Sequence, residues 1–185
     1  MIKFKNILTE INDSDLYYDF KLISNVNDNA MYEFNTNYNL EYEVLIAKGE
    51  LPINIFKYGF TKYSDDIIEL LEDELDNICE VSFTFDTFDK VDHGKTSNTG
   101  DSIVILNTIY KIMLDYWKNN PDTFGFFIDP AVDIMDARRS NTKSRRFKVF
   151  DKLLRRYFKN WKFLYTTSNN ILIISPENIY KFENL

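Results

Sequence analysis

Residues 97–102, Ser-Asn-Thr-Gly-Asp-Ser, form a short polar turn directly before a long run of regularly spaced apolar residues. A helix that begins after such a turn presents unpaired backbone amides, and a glycine allows an anion to approach them closely. The candidate phosphate-binding residues are those of the turn with the lysine before it: Lys95, Asn98, Thr99, Gly100, Asp101 and Ser102. The alternative, which the local sequence favours, is a simple helix N-cap made by Thr99 or Asp101. The Asp101 carboxylate would compete with a phosphate for the same amides.

A second group with chemical potential is a cluster of arginines, because all six in the chain fall between Arg138 and Arg156. The window 138–162 holds eleven lysines and arginines against one acid, a net charge of +10 in a chain of −7. Guanidinium groups suit a cofactor phosphate, a nucleic acid or an acidic protein surface. The candidate anion- or partner-binding residues are Arg138, Arg139, Arg145, Arg146, Arg155 and Arg156. The alternative is a solvated basic helix whose side-chain stems cover apolar surface.

Few other residues suggest chemistry. Cys79 is the one cysteine, so no disulfide can form within the chain, and its apolar surroundings predict an inert thiol on a buried strand. His93 is the one histidine, which excludes a multi-histidine metal site, and no metal site is predicted. Glu80 is a candidate general base, although an outward-facing strand residue is the simpler interpretation. No catalytic residue can be assigned from the sequence.

The elements that must hold these residues follow from apolar spacing. The second half is predicted to contain a strand at 78–86, a helix at 102–118, a strand at 123–129, a basic helix at 141–158 and two final strands around a turn at 168–170. A crossover helix usually connects parallel strands. The strands 78–86 and 123–129 are therefore expected to be central, parallel neighbours.

The first half is predicted to begin with a helical segment over residues 1–24, in which residues 14–24 fit either a helix or a strand. A β-hairpin around residues 35–39, a strand at 53–60 and an acidic helix after Ser64 follow. The chain has 185 residues, of which 44% are apolar and 16% aromatic, and this is typical of a single domain spanning 1–185. The composition excludes a membrane-spanning run, so we expect no membrane partner and a cytoplasmic protein.

From Ile78 to the C-terminus, the order of elements resembles the cofactor-binding half of the GNAT superfamily of N-acetyltransferases. In that family a central strand leads through an R/Q-x-x-G-x-G/A turn into a helix, and the turn binds the pyrophosphate of acyl-CoA. The corresponding stretch here is Lys-Thr-Ser-Asn-Thr-Gly-Asp-Ser, in which Gly100 matches the last glycine, Asn98 replaces the other and Lys95 stands near the basic position. The resemblance implies an α+β fold with a GNAT-like mixed, mostly antiparallel sheet flanked by helices. It also implies acetyl-CoA as the cofactor.

The later basic helix, Arg-Arg-Phe-Lys-Val-Phe-Asp-Lys-Leu-Leu-Arg-Arg, is similar to the A-x-x-L-Y-x-K-L-like helix of that family. Phe150 stands at the position of the family's tyrosine, which often serves as the general acid. Together with the missing glycine, this departure indicates a degenerate acyl-CoA site.

The Thr-Gly-Asp helix start and the arginine-rich helix also resemble GNAT-like proteins of large tailed bacteriophages. The N-terminal Lys-Phe-Lys-Asn-Ile-Leu-Thr-Glu-Ile is similar to leaders that a prohead protease removes after a triplet such as Leu8-Thr9-Glu10. An ordinary first helix is the alternative. This resemblance implies a protein of the host cytoplasm or of a phage virion.

Three functions follow as hypotheses. The first is a binding or virion-associated module with a protein partner and a degenerate acyl-CoA site. The second is an active acyl-CoA-dependent N-acetyltransferase, and the third is nucleic-acid binding through the basic helix within 138–162. The acidity of the rest of the chain counts against the third, because negative charge repels a phosphate backbone.

Overall fold

A computed structural model describes residues 16–26, 29–49, 58–87, 90–91, 101–129, 145–168 and 170–183. Several predicted features lie outside these residues: the leader triplet, most of the strand at 53–60, and Lys95, Asn98, Thr99, Gly100, Arg138 and Arg139. Within the described ranges, every helix is too short or too polar to cross a lipid bilayer.

The described strands form one sheet. They are β1 (Phe20–Val26), β2 (Asn29–Asn35), β3 (Glu41–Lys48), β4 (Ile78–Thr87), β5 (Lys90–Val91), β6 (Gly125–Ile128), β7 (Lys162–Tyr165) and β8 (Ile171–Ile174). The strand order is β1-β2-β3-β4-β6-β8-β7, and β5 pairs with the end of β4. Every pairing is antiparallel except that of β4 with β6. The fold is therefore α+β with a mixed, mostly antiparallel sheet, as the sequence predicted.

Three α-helices are described: α1 (Asp65–Asp73), α2 (Ser102–Asn119) and α3 (Arg145–Tyr157). Short 3₁₀ helices span Leu75–Asn77 and Pro176–Phe182. Between β4 and β6 the chain passes through α2, and the two strands pair in parallel from Ile78 opposite Gly125 to Val81 opposite Ile128. The expected central, parallel pair is thus confirmed.

Gly125 explains how β6 lies so close to β8. A Cβ atom at this position would stand 2.3 Å from the carbonyl oxygen of Ile173, far inside van der Waals contact. Because the obstructing atom belongs to the backbone, it cannot rotate away. The close approach of β6 and β8 therefore requires glycine at position 125.

The two faces of the sheet carry separate apolar cores. On one face, α2 and α3 cover β2, β3, β4, β6 and β8, with Phe34, Tyr42, Tyr110 and Phe158 among the fully buried rings. On the other face, α1 and the final 3₁₀ helix pack against Ile78, Phe124 and Phe127. Each fully buried large apolar side chain contributes about 1.5–3 kcal/mol. These cores fix the first turn of α2 and the face of α3 relative to the sheet.

Two sequence predictions need correction. Residues 20–24, assigned to a helical segment, lie in β1, where Phe20 pairs with Phe34 and Lys21 with Glu33. Pairing with β2 overrides an apolar spacing that is compatible with either structure. The strand predicted at 53–60 does not extend to residue 60. Tyr58 and Gly59 are helical, and Phe60 is buried in the second core.

Candidate functional site

The first turn of α2 is the part of the predicted phosphate site that the structure describes. The amide of Ile105 donates to the carbonyl oxygen of Asp101 at 3.0 Å, so Asp101 stands at the N-cap and Ser102 is the first helical residue. The Asp101 side chain makes no capping hydrogen bond to the helix. Its carboxylate instead accepts a hydrogen bond from the Tyr18 hydroxyl at 2.8 Å. The cap position was predicted, but the partner of its side chain was not.

The segment that carries Tyr18 is fastened along α2 by polar contacts. The Asn107 side-chain amide donates to the Leu16 carbonyl oxygen at 3.0 Å, and the Tyr18 backbone amide donates to the Thr108 hydroxyl at 2.9 Å. Both Asn107 and Thr108 are fully buried. Burial without these partners would cost free energy, so the two contacts specify where residues 16–18 lie.

The Tyr18 ring is positioned by aromatic packing. It stacks on Phe34 with a centroid distance of 6.0 Å, and Phe34 stacks on Tyr42 at 5.0 Å. Burial, followed by the hydrogen bond to Asp101, raises the pKa of Tyr18 to about 12, while a backbone hydrogen bond from Asn37 opposes the shift. The raised pKa extends the protonated, donating form of the hydroxyl further into the alkaline range.

The turn between β2 and β3 supplies the opposite wall. The Thr36 amide donates to the Leu40 carbonyl oxygen at 3.0 Å, and the Thr36 hydroxyl accepts from the amides of Tyr38 and Leu40. Asn39 has a φ of 55°, a left-handed conformation that asparagine adopts more readily than most residues. These features hold Asn37 and Tyr38 beside the start of α2.

Together these elements enclose a cavity of about 420 Å³, here called the tyrosine cavity. It is lined by Leu16, Tyr17, Tyr18, Asn37, Tyr38, Asp101 and Val104. Of the lining residues that the structure describes, three are tyrosines, one is an acid and none is basic. Tyr17 and Tyr38 are 45% and 56% exposed, so the cavity opens to solvent between two aromatic rings. The lining favours a planar or cationic group and opposes an anion.

A cation of the chain itself already lies beside this aromatic group. The Lys111 ammonium is 5.2 Å from the centre of the Tyr17 ring and 5.9 Å from that of Tyr157. Lys111 is not part of the cavity lining. The ring of Tyr17 therefore lies between the tyrosine cavity and Lys111, which also contacts Tyr157 of α3.

A tyrosine–aspartate pair also joins β7 to the basic helix α3. Together with Arg155 and Phe163, it is here called the arginine cluster. The Tyr165 hydroxyl donates to Asp151, and Arg155 donates to the Tyr165 hydroxyl and forms an ion pair with Asp151. The Arg155 guanidinium also lies 4.3 Å from the centre of the Phe163 ring and 5.6 Å from that of Tyr165. Arg155, a predicted anion-binding residue, is thus engaged within the protein.

The rest of the basic surface is only partly described. Apolar spacing predicts that Phe147, Phe150, Leu153, Leu154 and Tyr157 form the inner face of this helix. The first four are buried, and Tyr157 is half-buried against the same core. Lys148, Lys152 and Lys159 are exposed, whereas Arg156 is partly buried and makes contacts of its own. For Arg145 and Arg146 the structure places the backbone at the start of α3. The structure therefore brings none of the described arginines to the tyrosine cavity.

Cys79, Glu80 and Phe150, also singled out in the sequence, do not line the cavity, and His93 lies outside the described residues. Cys79 is buried, its thiol donates to the Tyr116 hydroxyl at 3.7 Å, and burial raises its pKa to about 11, as expected for an inert thiol. Glu80 alternates with Cys79 and Val81, both in the core under α2, and so lies on the opposite face of the sheet. Phe150 packs edge-on against Tyr110 at 5.8 Å.

Sequence reasoning missed the tyrosines of the cavity. Tyr17 and Tyr18 belong to a stretch that fits a helix or a strand, and Tyr38 to a turn, so nothing in their spacing links them to Asp101. The signal available was composition, namely adjacent tyrosines and a third in an asparagine-rich turn. Within the described ranges, no group of three histidine, cysteine or acidic residues is placed to hold a metal ion.

Comparison with known proteins gives no match: no protein-family model, no curated protein and no solved structure is significantly similar to the chain.

Proposed function

We propose that this chain is a GNAT-like binding module, acting in a virion or an infected cell, whose acyl-CoA site is degenerate. The observation that carries the proposal is the Asp101 carboxylate, held at the start of α2 by the Tyr18 hydroxyl. An anionic cofactor would have to approach this same position. The function is therefore recognition of a partner rather than transfer of an acyl group.

The architecture supports the GNAT-like part of this proposal. A central strand, a crossover helix and a parallel neighbouring strand are followed by a second helix and a terminal antiparallel hairpin. This is the element order on which the resemblance depends. It places the start of α2 at the end of the sheet where β4 finishes. Fold alone does not establish an activity, so the site decides the function.

The electrostatics support the degenerate part. Two unit charges about 4 Å apart interact by about 4 kcal/mol at an effective dielectric constant near 20. A charge-assisted hydrogen bond contributes about 1.5–3 kcal/mol. One amide or one lysine would therefore barely offset the repulsion between Asp101 and a pyrophosphate. The Tyr18 hydroxyl is neutral and leaves the negative charge of the carboxylate in place.

The direct test is calorimetric titration of the protein with acetyl-CoA. We expect no heat of binding up to millimolar cofactor for the native chain, and measurable binding for Asp101→Asn or Asp101→Gly. Asp115→Asn is the matched control, because Asp115 also lies on α2 and also accepts from a tyrosine, Tyr32, at 3.3 Å. It removes the same charge about 21 Å further along the helix, given a rise of about 1.5 Å per residue. Micromolar binding by the native chain would overturn the proposal.

An active N-acetyltransferase is the second candidate, and the position of the tyrosine cavity, although not its acidic lining, favours it. The cavity lies directly at the first turn of α2, and its volume falls within the range of about 300–1,000 Å³ that is usual for small-molecule sites. Acetyl-CoA hydrolysis or transfer to an amine, measured by release of the free thiol, tests this candidate. Thiol release that requires the native protein and increases with the amine acceptor would establish it in place of the binding module.

Nucleic-acid binding through the basic helix is the third candidate. Among the side chains of α3 that the structure describes, the exposed lysines support it, whereas Arg155 is already paired with Asp151. Gel shifts at low salt test it. A complex that disappears with Lys148→Ala and Lys152→Ala and weakens steeply with salt would favour it.

A further inference from the structure

The tyrosine cavity and the arginine cluster share the same central contact, a tyrosine hydroxyl donating to an aspartate. Tyr18 donates to Asp101, and Tyr165 donates to Asp151. In both places an additional aromatic ring stands within reach, Tyr17 or Tyr38 at the cavity and Phe163 at the cluster. Tyr32 likewise donates to Asp115 at 3.3 Å, and of these three pairs the one of Tyr165 and Asp151 is described with a guanidinium in place.

The arginine cluster shows what this combination binds. The Arg155 guanidinium lies over the Phe163 ring and also contacts the Tyr165 hydroxyl and the Asp151 carboxylate. Guanidinium is planar, weakly hydrated and able to stack on a ring while donating sideways to a carboxylate. An aromatic face accepts the stacked guanidinium, and a carboxylate beside it accepts the hydrogen bonds from the edge of the group.

The charges around the cavity are compatible with a cation. The start of α2 contributes a partial positive charge of about half a unit, which disfavours a cation. The Asp101 carboxylate opposes this effect, and the other described lining groups are neutral. Lys111 stands over Tyr17 from outside the lining and reduces the attraction on that side. Tyr38 lies on the turn between β2 and β3. Among the residues that the structure describes, no lysine or arginine stacks on its ring.

We propose that the tyrosine cavity binds a guanidinium group, stacked on the ring of Tyr17 or Tyr38 and hydrogen-bonded to the Asp101 carboxylate. The group can belong to an arginine side chain of a protein partner or to a small free guanidino compound. This inference rests on the proposed binding function and names the chemical class of its ligand. The cavity is large enough for the side-chain stem as well as its head group.

The test uses the full chain and NMR titration with two matched probes. Nα-acetyl-arginine methylamide carries the guanidinium, and Nα-acetyl-citrulline methylamide is its neutral isostere of nearly identical shape. We expect the arginine probe to shift the resonances of Tyr17, Tyr38 and Asp101, with at least about fivefold tighter binding than the citrulline probe. Equal binding of the two probes would show a neutral stacking site and overturn the proposal.

Variants separate the charge from the rings. Asp101→Asn should lower the affinity for the arginine probe to that for the citrulline probe. Asp115→Asn should leave the affinity for the arginine probe unchanged. Tyr38→Leu should weaken binding about two- to fivefold, and Tyr38→Phe, which retains the ring, should stay close to the native value. Because Tyr38 is more than half exposed, neither change threatens the fold. An unchanged affinity in both Asp101→Asn and Tyr38→Leu would refute the site.

A third probe distinguishes the source of the group. Methylguanidine supplies the head group alone, so affinity equal to that of the arginine probe indicates a free guanidino compound. Tighter binding of the arginine probe indicates a protein side chain. Either result supports the site, whereas absence of binding by both probes overturns it.

Titration of the same samples with acetyl-CoA keeps the two proposals separate. If the protein binds neither acetyl-CoA nor the arginine probe, the guanidinium inference is wrong and the binding module still stands. Binding of acetyl-CoA alone would end both. Arginine binding that depends on Asp101, without binding of acetyl-CoA, is the result that we expect.

Discussion

The tyrosine cavity and the arginine cluster differ in what surrounds an identical hydrogen bond. At the cluster, Asp151 receives both the Tyr165 hydroxyl and the Arg155 guanidinium, and the guanidinium lies against the ring of Phe163. At the cavity, Asp101 receives the Tyr18 hydroxyl beside an opening lined by two exposed tyrosines. The first arrangement stabilises the packing of α3 on the sheet, whereas the second presents a carboxylate and aromatic rings to solvent.

This difference shows why a charged residue on a basic helix is a poor guide to function by itself. Arg155 belongs to the segment with the highest positive charge, yet its donors are directed at groups of its own domain. Asp101 belongs to a turn that resembles a phosphate site, yet its carboxylate makes the site acidic. In both cases the neighbouring tyrosine, which charge patterns do not register, determines what the residue can bind.

The largest expected effect comes from removing the buried phenylalanine behind each tyrosine. Phe34 stacks on Tyr18, and Phe147 lies 6.0 Å from Tyr165, with both phenylalanines almost fully buried. Phe34→Ala and Phe147→Ala should each lower the free energy of unfolding by about 3–5 kcal/mol, measured by urea denaturation. Phe34→Ala should also abolish binding of the arginine probe, which Phe147→Ala should retain. Loss of probe binding in both would mean that the two regions are not independent.

A smaller effect is expected from Arg155→Met. The change removes a partly exposed ion pair and a cation–π contact, which together contribute about 1–2 kcal/mol. Arg155→Lys should fall between the native protein and Arg155→Met, because lysine retains the charge without the planar fork. Lys148→Met on the same helix is the control, with a change within about 0.5 kcal/mol. Equal stability of Arg155→Met and the control would show that the cluster is not a stabilising unit.

Removing the tyrosine hydroxyl from each tyrosine–aspartate pair should change the free energy of unfolding by still less. Tyr165→Phe should lower the free energy of unfolding by about 1 kcal/mol, since its hydroxyl serves both Asp151 and Arg155. Tyr18→Phe should lower it by less, because the cavity leaves Asp101 near solvent. Denaturation at neutral pH measures both variants side by side. A larger loss for Tyr18→Phe would reverse the comparison and assign the structural role to the cavity.

The smallest expected difference is in the dependence of stability on alkaline pH. The pKa of Tyr18 and that of Tyr165 are each raised to about 12, in both cases chiefly by burial, against an ordinary value of 10.0. The unfolded chain loses these protons first, so their contribution is fully present below about pH 10 and is lost as the pH rises toward about 12. Tyr18→Phe and Tyr165→Phe should each make the decline less steep. Buried Tyr110, whose pKa is also raised by burial, should retain most of the decline.

The sequence by itself determined the element order and much of the core. Three- and four-residue apolar spacing located α2 almost to its ends. It also identified the inner face of α3, where four of the five predicted residues are buried and Tyr157 is half-buried. The parallel pairing of β4 with β6 followed from the crossover rule. Such features depend on local spacing and on chain connectivity, and both are written in one dimension.

Only the tertiary structure decided the candidate site. Tyr18 and Asp101 are 83 residues apart, and no periodicity relates them. They meet because β1 pairs with β2, Phe34 supports the Tyr18 ring, and Asn107 and Thr108 fasten the preceding segment to α2. The assignment of residues 20–24 was wrong for the same reason, since pairing with a distant strand outweighs local preference. Contacts between remote residues depend on packing and hydrogen-bond satisfaction in three dimensions, so the sequence could supply the groups but not their arrangement.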